Sequence, residues 1–282
     1  ENIMANETTS STISELYTEI VAEALFVASE QSIMRGLVRN YSIVGGGKSV
    51  EVPIYANVSA SAVSEASDLS NTAVNPSSVT ITASEIGIMT TLTDLARNSA
   101  SRNVAADIGK LFGEAIATKI DTDLAALFTG FSTEKGPGAG SEITVQDLFE
   151  CSAELKTNKA PGPYYGVFHP KQIFNVKKSL TNTFVGRDTE LSNEAMRTGF
   201  VGNVAGIQIF ETSNIAVDGS DDSIGGVFSQ DALGLAMMQD LKIETQRDAS
   251  LRADEIVATA VFGVGELHDS YGVKITADTL AA

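Results

Sequence analysis

Little in this sequence can carry covalent chemistry. Its 282 residues include one cysteine, two histidines and no tryptophan. The lone Cys151 excludes disulfide frameworks and cysteine-based zinc sites within one chain. It sits in Leu148-Phe149-Glu150-Cys151-Ser152-Ala153, an amphipathic helix pattern that predicts a buried structural thiol rather than a reactive one. His169 precedes Pro170 as a helix-start residue, and His268 lies in the turn Gly265-Glu266-Leu267-His268-Asp269. A shared metal site would need carboxylates to complete it, so no metal is expected. The sequence has no Gly-x-Ser-x-Gly elbow and no credible catalytic triad. It reads as a protein without cofactors that is not an enzyme.

Basic residues are also scarce. Nineteen Lys and Arg stand against 36 Asp and Glu, a net charge of −17 that argues against a broad electrostatic grip on DNA or anionic lipid. The cluster Asp218-Gly219-Ser220-Asp221-Asp222 lacks the alternating ligand order of a calcium loop and reads as a solvated turn. Long hydrophobic runs are missing too: the longest apolar-rich stretch, Ile256 to Gly265, is half the roughly 20 residues needed to span a bilayer. No charged-then-apolar leader opens the chain, and Met4-Ala5-Asn6 reads like an initiator. The length suits one large domain or two small ones with a real core.

What is present begins at Val79. The stretch Val79-Thr80-Ile81-Thr82-Ala83-Ser84-Glu85-Ile86-Gly87-Ile88-Met89-Thr90 alternates as a half-buried strand does, with a change of parity near Ser84 and Glu85 that predicts a bulge or bend. Thr93-Asp94 then starts a helical pattern. Val104, Ile108, Leu111, Phe112, Ala115, Ile120, Leu124 and Leu127 recur at three- and four-residue steps. At about 1.5 Å per residue such a helix would be about 40 Å long, with a possible bend at Gly113.

Upstream, Thr12-Ile13-Ser14-Glu15 fits a capping box, and Leu16, Ile20, Ala24 and Val27 share a helical face. Ile33, Met34 and Leu37 either continue that helix or begin a link. After Gly45-Gly46-Gly47 the period becomes two, with Val50, Val52 and Ile54 on one side, and Pro53 restricts this strand to an edge or hairpin. Residues 56–78 are mostly small and polar, with too little apolar bulk to pack alone. Flanked by strands, they form the tip of a two-stranded arm that is stable only against a partner.

Downstream of the helix, Gly136 to Gly140 is a loop and Thr144-Val145-Gln146-Asp147 opens another helix. Tyr164 to Phe168 is a buried strand. His169-Pro170 starts a helix with Ile173, Phe174 and Leu180 on its apolar face. Residues 181–203 read as a loop. Strands are expected at Val204 to Glu211, Gly226 to Phe228, Leu241 to Arg247, Ile256 to Val264 and Tyr271 to Thr276. The fold class is α+β, with an inserted central domain.

This order of elements resembles the Johnson fold of tailed-bacteriophage major capsid proteins over roughly nine-tenths of the chain. Gly166-Val167-Phe168-His169-Pro170-Lys171-Gln172, Gly202-Asn203-Val204-Ala205-Gly206-Ile207-Gln208-Ile209 and Phe228-Ser229-Gln230-Asp231-Ala232-Leu233-Gly234-Leu235 are similar to stretches of that family's inserted domain and its return. The resemblance implies an N-terminal arm (1–43), an extended two-stranded loop (44–90), a peripheral domain with the long spine helix (91–143), an axial domain (144–232) and closing peripheral-domain strands (233–282). It implies a major capsid protein that self-assembles into hexamers and pentamers of an icosahedral shell enclosing viral double-stranded DNA, without sequence-specific binding and without a membrane. An acidic lining suits such a container, because a basic one would hold packaged DNA fast.

Val50, Val52, Ile54, Val79 and Ile81 on the extended loop are then the expected inter-subunit contacts. Lys171, Lys177 and Lys178 offer a basic helix face, either merely solvated or turned to an acidic patch on a neighbour. No lysine lies between 49 and 109, so covalent welding through the loop is not expected, and the short arm implies separate scaffolding. Portal and decoration proteins would also be separate partners, and assembly would occur in the host cytoplasm before the protein resides in the virion. An encapsulin nanocompartment shares this fold. A third reading, a nucleotide-binding enzyme, rests on Ser42-Ile43-Val44-Gly45-Gly46-Gly47-Lys48-Ser49. That stretch lacks the first glycine of a phosphate-binding loop and leads into a strand rather than a helix.

Overall fold

The computed structural model describes residues 32–44, 47–55, 58, 60, 62, 63, 74, 76–99, 104–184 and 202–279. The expected capping box at 12–15 and most of the N-terminal arm lie outside them, as do Gly45, Gly46, most of the arm tip and residues 185–201. Eleven strands are described: β1 (Arg39–Ser42), β2 (Ser49–Tyr55), β3 (Pro76–Thr82), β4 (Ser84–Thr93), β5 (Tyr164–Phe168), β6 (Asn203–Val204), β7 (Ile207–Glu211), β8 (Asp222–Ser229), β9 (Leu233–Asp248), β10 (Ala253–Glu266) and β11 (Gly272–Asp278). Four α-helices accompany them: α1 (Asp94–Ser99), α2 (Val104–Ala126), α3 (Val145–Thr157) and α4 (Pro170–Phe184).

The strands form a sheet ordered β1-β9-β10-β4, a second ordered β11-β8-β5-β7-β6, and the separate pair β2-β3. The parity change foreseen near Ser84 marks the place where the chain changes sheets. β3 pairs with β2, the chain breaks at Ala83, and β4 then pairs with β10. Thr82 passes so close to β10 that a Cβ on Gly263 would meet the Thr82 carbonyl oxygen at 2.3 Å, so only glycine fits there.

The long helix α2 covers the first sheet. Phe112, Ile116, Ile120 and Leu124 are buried at four-residue steps against Leu235, Leu241, Ile243, Ile256, Ala258 and Phe262. Leu111, expected on this face, is 61% exposed. It falls one residue, about 100° of helix, from the stripe through Ile108, Phe112 and Ile116. The helix runs unbroken through Gly113. It ends in a 3₁₀ turn, Leu127–Gly130, where Phe128 packs on Phe131 and Phe228 with ring centroids 6.3 and 5.5 Å apart. These rings join the first core to the second sheet.

α3 starts as expected at a capping box, in which the Thr144 N–H and Oγ1 both donate to Asp147 Oδ2 at 2.7 Å. α3 and α4 bury Leu148, Cys151, Leu155, Ile173 and Val176 on one face of the second sheet. Three details depart from the expected layout. Phe174 is 51% exposed while Val176 takes its place inside. Val204 to Glu211 is a hairpin rather than one strand, because Ala205 (φ 57°) and Gly206 (φ 83°) make a left-handed two-residue turn. The last strand, β11, pairs with β8 in the five-stranded sheet and not with the strands β9 and β10 that precede it.

Candidate assembly interface

The β2-β3 hairpin is held by its own ladder, Val52 opposite Val79 and Val50 opposite Ile81, and is closed at its base by the Ala83 N–H donating to the Lys48 carbonyl at 2.7 Å. Neither strand pairs with another strand among the described residues. Of the five side chains expected to face a neighbour, Val52 and Ile81 are buried inside this chain. They pack with Ile43, Ala83, Ala236 and Leu267, and Val50 and Val79 lie against the same cluster. Ile54 is half-buried beside a hollow lined by Arg39, Tyr41, Pro53, Asp231, Leu267 and His268. The alternation was legible, but the face it marks leans on the ends of β9 and β10.

The surface left open is farther out. Tyr55, Val58, Val63 and Val74 are each at least half exposed, with Tyr55 at 62%. Sequence reasoning passed over them because isolated valines among Ser, Ala and Asn show no period; their position past a proline-bearing hairpin strand was the available signal. The polar hollow beside β2 is bridged by Arg39 Nη1 to Asp231 Oδ1 at 2.8 Å. His268 stacks on Tyr271 there, with ring centroids 4.6 Å apart, and burial lowers its pKa.

On α4, Lys171 is exposed, whereas Lys178 reaches Glu142 of the same chain at 3.0 Å. His169 starts α4, its Nδ1 accepting from the Lys171 N–H at 3.4 Å. No group of His, Cys, Asp or Glu among the described residues could hold a metal. Asp218 closes its turn by accepting from the Ser220 and Asp222 N–H groups at 2.8 and 2.9 Å. Lys48 is exposed and is followed by β2, so no helix N-terminus is available there for phosphate. Cys151 is fully buried, and burial with Asp147 and Glu150 nearby pushes its thiol up to about 12. No described helix is long and apolar enough to cross a membrane.

Two polar devices fix the frame of the domain. Arg247 on β9 grips Asp94 at the start of α1 with both Nη atoms, at 2.8 and 2.6 Å, and also reaches Asp254 at 3.2 Å. Asp121, buried on α2, accepts from Ser32 Oγ at 2.7 Å and from the Ile33 and Met34 N–H groups at 3.1 and 3.2 Å. The carboxylate thereby caps the 3₁₀ turn Met34–Gly36, where the chain enters the domain.

A family model described as phage capsid protein matches residues 76–275. Among solved structures, the chain is similar to the capsid of cyanophage P-SCSP1u (TM-score 0.68, 20% identity, 87% of this chain and 88% of that one). It is similar to the head of Helicobacter pylori bacteriophage KHP40 (TM-score 0.69, 12% identity, 88% and 92%). It is also similar to a virus-like particle from Pyrococcus furiosus (TM-score 0.62, 13% identity, 93% and 99%). No curated protein matches by sequence.

Proposed function

As a member of the phage capsid protein family, this chain is a major capsid protein, a virion component that self-associates into an icosahedral shell and is not an enzyme; we propose that the shell is built of hexamers and pentamers, encloses double-stranded DNA, and is held by the β2-β3 hairpin lying across a neighbouring subunit. The observation that carries this is a two-stranded sheet, paired with no other strand among the described residues, whose outer end presents Tyr55, Val58, Val63 and Val74 to solvent. A lone hairpin is marginal in water, so apolar residues at its tip call for a partner surface. The buried base, with Ile81 and Val52 in the chain's own core, acts as the root that aims the arm. Each subunit then gives one arm and receives another, so modest pairwise free energies combine around a closed shell.

The net charge of −17 keeps the lining from gripping packaged DNA. Lys171, exposed on α4, is the candidate charge contact to a neighbour. Scaffolding, portal and decoration proteins would be separate chains that meet this one in the host cytoplasm. Deleting residues 57–75 keeps β2 and β3 whole and should leave dispersed, folded subunits; intact particles of that deletion in electron micrographs would remove the arm from the mechanism. The family match favours a virus over an enzyme-filled compartment, and nuclease-protected DNA inside purified particles is the result that reading requires.

A further inference from the structure

A hollow of about 280 Å³ lies beside the C-terminal half of α2. Thr122, Ala125, Ala126 and Thr129 form its floor at helical spacing, and Ile215 and Val217 form one wall. Small side chains on the helix leave the space, and the lining is chiefly apolar. At its back lies Ser223, a buried residue whose hydroxyl has no hydrogen-bond partner among the described residues. An orphaned buried hydroxyl is unusual and calls for a group to satisfy it.

One side of this hollow adjoins the place where the chain enters the domain. Asn214, which lines the hollow, lies near the Asp121 carboxylate, and Ser32 bonds that carboxylate at 2.7 Å. Ser32 is therefore close to residues that line the hollow, since Asp121 directly precedes Thr122 on α2. The residues before it carry the helical apolar face Leu16, Ile20, Ala24 and Val27. Val27 precedes Ser32 by five residues, a reach of up to about 17 Å, which is ample to arrive at the groove.

We propose that residues 16–27 of the same copy dock in this groove, apolar face inward. Anchoring at Asp121 makes the encounter intramolecular, which raises the effective concentration of the segment to the millimolar range or above. The inference does not rest on the arrangement of the shell, and its test is made on dispersed subunits and on particles alike.

The test is disulfide trapping in the full-length chain with Cys151→Ala. Ala126→Cys, at the exposed rim, is paired in turn with Ile20→Cys, Ala24→Cys and Val27→Cys, and with Thr18→Cys and Ala22→Cys from the opposite side of the helical pattern. Bridges within one chain, formed about tenfold faster at the first three positions than at the last two, are expected. Equal rates at all five positions, or bridges only between chains, would overturn the proposal. A second variant needs no cysteines: Ala126→Arg blocks the groove from its rim. Cleavage after Glu19 and Glu23 by a glutamate-specific endoprotease should then quicken about tenfold, because cleavage follows the undocked population. An unchanged rate refutes docking.

Discussion

Replacing Ile81 by alanine separates the two possible duties of the hairpin's apolar face. Ile81 is 1% exposed, and its side chain lies over the glycine backbones of β9 and β10; a Cβ on Gly234 or Gly265 would sit 2.9 or 2.8 Å from it. Removing three carbons forfeits about 2.4 kcal/mol of transfer free energy at about 0.8 kcal/mol per methylene. A cavity term adds to this, and two glycines have no side chains that could swing in to fill the space. The expected loss is therefore in the middle of the range for such truncations, about 3–4 kcal/mol, with about 1 kcal/mol for Ile81→Val.

The loss is read from the urea midpoint of dispersed subunits, and its location from hydrogen exchange. If the hairpin base opens by itself, amides of β2 and β3 should exchange faster by about a hundredfold or more, since 1.4 kcal/mol is a factor of ten. A dispersed Ile81→Ala subunit as stable as the parent, with only assembly impaired, would mean that the side chain serves a neighbour. That outcome would refute the assignment of Ile81 to the chain's own core.

Asp121 and Cys151 offer two further tests. Burial raises the Asp121 pKa above its ordinary 3.8 even though its hydrogen bonds lower it, so the native state keeps this proton to higher pH than the unfolded chain does. The resulting stability is complete below about pH 3.8 and is lost as pH climbs through the raised native value. Asp121→Asn should remove that slope, so the difference in urea midpoint between parent and variant should change from pH 4 to pH 7; parallel profiles would contradict the reasoning. Cys151, with its thiol pushed up to about 12, should be roughly one part in ten thousand thiolate at pH 8. A disulfide reagent should label it only after denaturant is added, and labelling of the native protein within minutes would show that the site opens.

Local structure was legible wherever a residue type constrains its own backbone. Pro53 has no N–H to give a second ladder, and among the described residues β2 has one partner strand. His169-Pro170 begins α4 and Thr144 caps α3, because each satisfies helix-start geometry on its own. The parity change at Ala83 was visible, although it announces a change of sheet rather than a bulge. Misreadings arose where periodicity had to choose between adjacent positions. Leu111 and Phe174 are as apolar as their buried neighbours, and only the sheet beneath each helix decides which one is covered.

By itself, then, the sequence determined most element types, the α+β class and the family, since capping, proline geometry and apolar period act within a few residues. Tertiary structure alone decided what each apolar face meets. The side-chain alternation of β2 and β3 would be the same whether Val52 and Ile81 pressed on a neighbour or on β9 and β10 of their own chain. Burial is an interaction between distant segments, so a local pattern can mark a buried face without recording its partner.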